Sequence, residues 1–126
     1  MSTPPFEKKT GINHFFAAAS YSRDGFLRLW GEAAFRQEIG FFALALVLFL
    51  LVGASAGEFL VMTMLFLALF AVEAINTAIE EIVDRLSPEI SSTGKHAKDL
   101  GSFAVLCTLT ATGLYGAVTI LCRLFW

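Results

Sequence analysis

Residues 59–84 read FLVMTMLFLALFAVEAINTAIEEIVD, an apolar run from Phe59 to Val72, broken only by Thr63, that passes into an acidic tail without losing helical periodicity. At 100° per residue, Glu73, Asn76, Thr77, Glu80 and Asp84 fall within an arc of roughly 100°. Ala74, Ile75, Ala78, Ile79, Ile82 and Val83 cover the rest, with Glu81 at the edge of the polar stripe. One face of this helix is therefore a row of oxygen ligands and the other is apolar. If the hydrocarbon begins near Glu58, Glu73 lies roughly 22 Å into a core about 30 Å thick. An ionisable side chain at that depth is costly and marks a candidate functional position. Hard oxygen donors suit Mg²⁺, which usually takes one or two carboxylates together with substrate phosphates. A deeper carboxylate suits a general base. A polar seam between helices of an oligomer would give the same stripe.

Working outward, residues 39–54 (IGFFALALVLFLLVGA) read as another span, short of the usual length of about 20 residues unless flanking turns extend it. A third runs through the apolar stretch before Leu124. The expected order is a tail over 1–10, disordered around Pro4 and Pro5, a surface helix over 11–36, and spans over 37–54, 58–84 and 97–124, all in one domain covering residues 1–126. Within 11–36, Ile12, Phe15, Phe16, Ala19, Phe26, Leu27 and Trp30 share a face opposite His14, Tyr21, Asp24, Arg28 and Glu32. That is the pattern of an amphipathic helix lying on a membrane, with Asp24-Gly25 a candidate break. The fold class is thus all-α membrane protein, with three transmembrane helices and an N-terminal amphipathic surface helix.

Composition agrees. Hydrophobic residues make up 56% of the 126 and charged residues 16%, with 13 phenylalanines, against about a quarter charged in ordinary soluble domains. So small a chain has too little interior for that apolar surface. A net charge of −2 gives no reason to expect nucleic acid. The polar start MSTPPFEKK has no apolar h-region behind it, so permanent spans are expected rather than a cleaved signal. Lys8, Lys9, Arg23, Arg28 and Arg36 precede the first span, Arg85, Lys95 and Lys98 follow the second, and only Arg123 lies at the far end. The positive-inside rule then puts the N-terminus in the cytoplasm and the C-terminus outside it. Cys107 and Cys122, about 22 Å apart along a helix, are too distant for a disulfide.

Other chemistry-bearing residues gather at the same membrane level. Glu32, Arg36, Gln37 and Glu38 precede the first span, Glu32 and Arg36 as possible i,i+4 partners. Lys95, His96, Lys98 and Asp99 sit at the mouth of the third, as phosphate binders or as membrane anchors. There is no Walker A loop, kinase-type glycine loop or Cys/His zinc spacing, so any ATP chemistry must use an unrelated arrangement.

Three stretches, Glu32-Ala-Ala-Phe-Arg-Gln-Glu38, Glu73-Ala-Ile-Asn-Thr-Ala-Ile-Glu80 with Val83-Asp84-Arg85, and Ala97-Lys98-Asp99-Leu-Gly-Ser102, closely resemble the prokaryotic diacylglycerol kinase family. The first is similar to the proteobacterial diacylglycerol branch rather than the undecaprenol kinase branch. The resemblance runs from about Gly11 to the end. It implies a homotrimer in the bacterial inner membrane, with active sites between subunits, that transfers the γ-phosphoryl group of ATP to a lipid hydroxyl. It implies Glu73 as catalytic base and Glu32 and Glu80 as Mg²⁺ ligands. Nucleotide contacts would come from His14, Tyr21, Glu32, Asn76, Glu80, Glu89, Ile90, Ser91, Lys98 and Asp99. The lipid would be held by Ala34, Phe35, Arg36, Gln37, Glu38, Glu73 and Ser102. The chain departs from the family at His14 and Ala17, which stand where the family carries basic residues, and has one residue fewer between Tyr21 and Glu32.

The expected reaction is direct in-line transfer from ATP to diacylglycerol with Mg²⁺, giving phosphatidic acid at the cytoplasmic face. An undecaprenol kinase would share the site and differ in its lipid groove. A small proton-coupled transporter subunit using Glu73 as carrier is the alternative of another class. It would place its acid near the midplane, whereas here the acids run to the cytoplasmic edge.

Overall fold

The computed structural model describes residues 10–89 and 91–126, so the expected disordered tail, apart from Thr10, and the position of Ile90 lie outside the described residues. Those residues form four helices and no strand: α1 (Gly11–Trp30), α2 (Ala33–Leu51), α3 (Ala56–Leu86) and α4 (Ser92–Phe125). The last three are long and apolar enough to cross a membrane. Helices are what such a sequence must form, because lipid offers backbone groups no hydrogen-bond partner and only an intrasegment ladder satisfies them.

The boundaries move for identifiable reasons. The segment expected as one surface helix over 11–36 is divided at Gly31–Glu32, so Glu32 is the N-cap of α2 and Arg36 lies in its first turns. Asp24-Gly25 does not break α1. The helix that carries the first expected span, 37–54, runs Ala33–Leu51, because Gly53 at φ +72 ends it and the Ala54 N–H closes on the Phe49 carbonyl at 2.9 Å. The second starts at Ala56, not 58, because Ser55 and Glu58 form a reciprocal capping box: the Ser55 N–H donates to Glu58 Oε1 at 2.8 Å and the Glu58 N–H to Ser55 Oγ at 3.2 Å. It continues to Leu86 rather than 84. The third begins at Ser92 rather than 97, since Ser91 Oγ accepts from the Gly94 N–H at 3.0 Å and caps it early, and it ends at Phe125.

α3 and α4 pack along most of their length, and α2 lies against α3. Phe49, Met62, Phe66 and Leu69 form the buried core, with Phe42, Phe59, Phe70 and Tyr115 against it. Gly116 makes room for Met62, whose Cε would stand 2.9 Å from a Cβ there. At the far end, Arg123 of α4 donates to Glu58 of α3, closing the two helices together. Outside this core the chain is apolar and uncovered: Leu44, Val47 and Leu51 on α2, Leu60 and Met64 on α3, and Leu106, Leu114 and Leu121 on α4 are all exposed. So large an apolar surface requires lipid or other protein around it.

The left-handed backbone at Gly53 is tolerable without a Cβ, whereas an L-residue there is strained by about 1–2 kcal/mol. Gly53→Ala is expected to lower the thermal midpoint in detergent, whereas Gly113→Ala, on an ordinary helical turn with open space for a Cβ, is expected to leave it unchanged or raise it. Equal midpoints for the two variants would remove the strained-turn account.

Candidate functional site

Part of the polar face read from the sequence is buried among α2, α3 and α4, while Glu80 is half-buried and Asp84 exposed. Glu73 is 6% exposed, Asn76 8%, Thr77 6% and Glu38 of α2 5%. The Glu38 and Glu73 carboxyls lie within hydrogen-bonding reach of one another, and the charges of Glu80 and Glu32 act on Glu73 from close by. The Thr77 hydroxyl is occupied locally, donating to the Glu73 carbonyl at 2.9 Å. Asn76 Nδ2 donates to Glu80 Oε1 at 3.3 Å and so orients that carboxylate. Asn76 Oδ1 and Glu38 Oε2 are buried and have no hydrogen-bond partner among the described residues. The open Glu38 oxygen, in a layer of hard donors, fits a site that completes itself around a cation or a polar substrate, whereas Asn76 Oδ1 is turned against Gly101 of α4.

Asn76 reaches this position because α4 presents no side chain there. A Cβ at Gly101 would overlap Asn76 Oδ1. Gly101 thereby sets both the approach of α4 and the orientation of the amide.

A second set converges at the start of α4. Asp84, Glu89, Ser91, Lys95, Lys98 and Asp99 are among the residues lining a cavity of about 220 Å³. Four of the residues assigned to the nucleotide, Glu89, Ser91, Lys98 and Asp99, therefore share one pocket at a helix N-terminus, a favourable position for anionic groups. Lys98 Nζ donates to Asp84 Oδ1 and Lys95 Nζ to Asp99 Oδ2, each at 2.6 Å.

A third feature was not read from the sequence. Between α1, α2 and α3 lies an apolar groove of about 640 Å³, lined by Phe26, Leu29, Phe35, Ile39 and Phe70 and by Ala74 and Thr77, which flank Glu73. Phe35 is buried there, at right angles to Phe70 with ring centroids 5.3 Å apart. No periodicity reveals such a groove, because three separate elements form it.

The sequence also missed the fastening of α1. Arg28 Nη1 donates to Glu32 Oε1 at 2.9 Å, and its Nε and Nη2 reach Glu81 of α3. These hydrogen bonds, that to Glu32 first, push the Arg28 pKa above its ordinary value. The i,i+4 pairing of Glu32 with Arg36 does not form. Arg36 instead donates to the Trp30 carbonyl at 2.7 Å, satisfying the last turn of α1. Gln37, Ala34 and Ser102 are exposed. His14 and Tyr21 are exposed on α1 and join none of these clusters. Among the described residues no three His, Cys, Asp or Glu side chains converge as a preformed metal cage. Mg²⁺ held by one or two carboxylates and substrate phosphates does not need one.

The arrangement is that of a membrane-type helical protein, with three helices apolar enough to span a bilayer, a set of buried acidic groups, an apolar groove and a polar, helix-capped cavity. The family model for prokaryotic diacylglycerol kinase matches residues 20–120. Among curated relatives, a diacylglycerol kinase of a Sinorhizobium species is 60% identical over 119 residues, 94% of this chain and 87% of the relative. That of Pseudomonas aeruginosa is 38% identical over 122 residues, covering 96% and 99%, and that of Escherichia coli 36% over 118 residues, covering 93% of each. The chain belongs to the prokaryotic diacylglycerol kinase family.

Gly101→Ala is expected to displace the Asn76 amide and to destabilise the fold by about 1–3 kcal/mol, the usual cost of overpacking. If Asn76 is the obstacle, Gly101→Ala on an Asn76→Ala background should cost much less. Additive losses in a thermal double-mutant cycle would show that the two do not touch.

Proposed function

We propose that this chain phosphorylates diacylglycerol to phosphatidic acid at the cytoplasmic face of the bacterial inner membrane, using ATP and Mg²⁺. The observation that carries the reading is the position of Glu73: buried, in contact with a second carboxyl, Glu38, and flanked in its helix by residues that line an apolar groove. A lipid lying in that groove would bring its hydroxyl to Glu73, while ATP would enter from water beside Asp84, Lys98 and the start of α4. Relatives covering almost the whole chain carry the name diacylglycerol kinase, which supports this substrate over undecaprenol and a kinase over a transporter.

In the proposed reaction Glu73 accepts the proton of the lipid hydroxyl. The freed oxygen attacks the γ-phosphorus in line, and the bond to the β–γ bridging oxygen breaks, leaving ADP with the electron pair. Asn76 holds Glu80, and Glu32 and Glu80 are the carboxylates that would hold Mg²⁺. When bound with ATP, the ion neutralises phosphate charge. Lys98, Asp99, Glu89, Ile90 and Ser91, with His14 and Tyr21 from α1, are the proposed nucleotide contacts. Ala34, Phe35, Arg36, Gln37, Glu38 and Ser102 are the proposed lipid contacts. We assign α1 to the membrane surface through Ile12, Phe15 and Phe16, the N-terminus to the cytoplasm and the C-terminus to the periplasm. A homotrimer would cover apolar faces of α3 and α4 that this chain leaves open.

Glu73→Gln is expected to abolish labelling of diacylglycerol from γ-labelled ATP in mixed micelles while the thermal midpoint stays near that of the native chain. Retained turnover in the folded variant would exclude Glu73 as the base. Glu80→Gln is expected to raise the half-saturating Mg²⁺ concentration more than the KM for lipid. An unchanged Mg²⁺ requirement would take the ligand role from Glu80.

A further inference from the structure

We infer that Arg28 is a positioning residue for this site, holding the Glu32 carboxylate beside the acidic face of α3 while Glu81 holds Arg28. Glu32 lies at the break between α1 and α2, with extended backbone and no side-chain capping bond of its own. Nothing in the local chain fixes where its carboxylate points. Arg28 does so from one turn upstream through Nη1, while its Nε and Nη2 reach Glu81 on α3. A guanidinium suits this task because its donors are set in a rigid planar fork, so one group can bind two carboxylates at a fixed angle. A lysine ammonium is a point charge and fixes no such angle. Because Glu81 lies on α3, the clamp ties the Glu32 carboxylate to the helix that carries Glu73 and Glu80. Arg28 also lines the apolar groove, and the same fork fastens α1 as its outer wall.

Ion pairs this exposed contribute little to stability, which makes orientation the better account of the fork. Arg28 occupies one Glu32 oxygen and leaves the other for a cation. Outer partners that orient a ligating carboxylate typically change metal affinity by about 10–100-fold when removed. Loss of a nearby positive charge alone would act in the opposite sense, tightening cation binding. The two accounts therefore predict opposite signs.

The inference rests on Glu32 being a cation ligand, and the experiment separates the two. Mn²⁺ binding to the full chain in mixed micelles, with ATP and no lipid substrate, is followed by electron paramagnetic resonance. The native chain is compared with Arg28→Ala, Arg28→Lys, Glu81→Gln and Glu32→Gln. Arg28→Ala is expected to weaken Mn²⁺ binding about tenfold or more, with the lysine variant between it and the native chain. Glu81→Gln is expected to shift binding in the same direction by less, and Arg28→Lys, which keeps the charge and loses only the fork, carries the test if Arg28→Ala does not fold. Unchanged or tighter binding in the Arg28 and Glu81 variants, with Glu32→Gln weakened, would overturn the positioning role alone. Native-like binding by Glu32→Gln would overturn the ligand assignment and the inference with it.

Discussion

The contact between Asn76 and Gly101 fixes how close α4 comes to α3, and the rest of the site is arranged around that distance. α3 carries Glu73, Asn76, Glu80 and Asp84, and α4 carries Lys98 and Asp99. A single methyl group on Gly101 would meet the Asn76 amide, so the acids of one helix and the cations of the other come together only because that position is bare. Fifteen residues on, Gly116 repeats the device against Met62. The Glu58–Arg123 pair then closes the opposite end. The acidic layer therefore rests on two helices locked at three heights.

The polarity of the site is maintained against its surroundings. In an apolar medium an open carboxylate or amide is expensive, yet Glu38 and Asn76 each keep an oxygen without a partner among the described residues. Much of the surrounding helix surface is apolar and exposed, from Leu44 on α2 to Leu121 on α4. A chain that hides its polar atoms inside and turns its hydrophobic ones outward is built for lipid. The proposed reaction needs those buried acids to lie where lipid meets water, the one depth that a diacylglycerol hydroxyl and an ATP phosphate can both reach.

The helical class, the three spans and the acidic row were legible in the sequence because each is a one-dimensional pattern. Apolar length gives a span, and a 100° step gives a face. Membership of the family was legible in EAAFRQE and the Glu73–Glu80 motif. What could not be read depends on contacts between helices. The surface helix was expected to continue to residue 36, but Gly31 and Glu32 break it. Spacing alone offers Arg36 as a possible partner of Glu32, and the helical wheel puts Arg28 on the polar face of the surface helix. Only the fold shows that Glu81, at the edge of the stripe, lies where Arg28 can bind both acids. The groove behind Phe35 and Thr77 was invisible for the same reason.

The central claim is that the buried acids serve phosphoryl transfer to a lipid alcohol. The most direct measurement is labelling by the purified native chain from γ-labelled ATP in detergent–lipid micelles, with diacylglycerol and undecaprenol offered separately and Mg²⁺ present or chelated. Mg²⁺-dependent label in phosphatidic acid, with little in undecaprenyl phosphate, is the predicted result. Folded protein that labels neither lipid would contradict it and leave the acidic layer as a seam between helices.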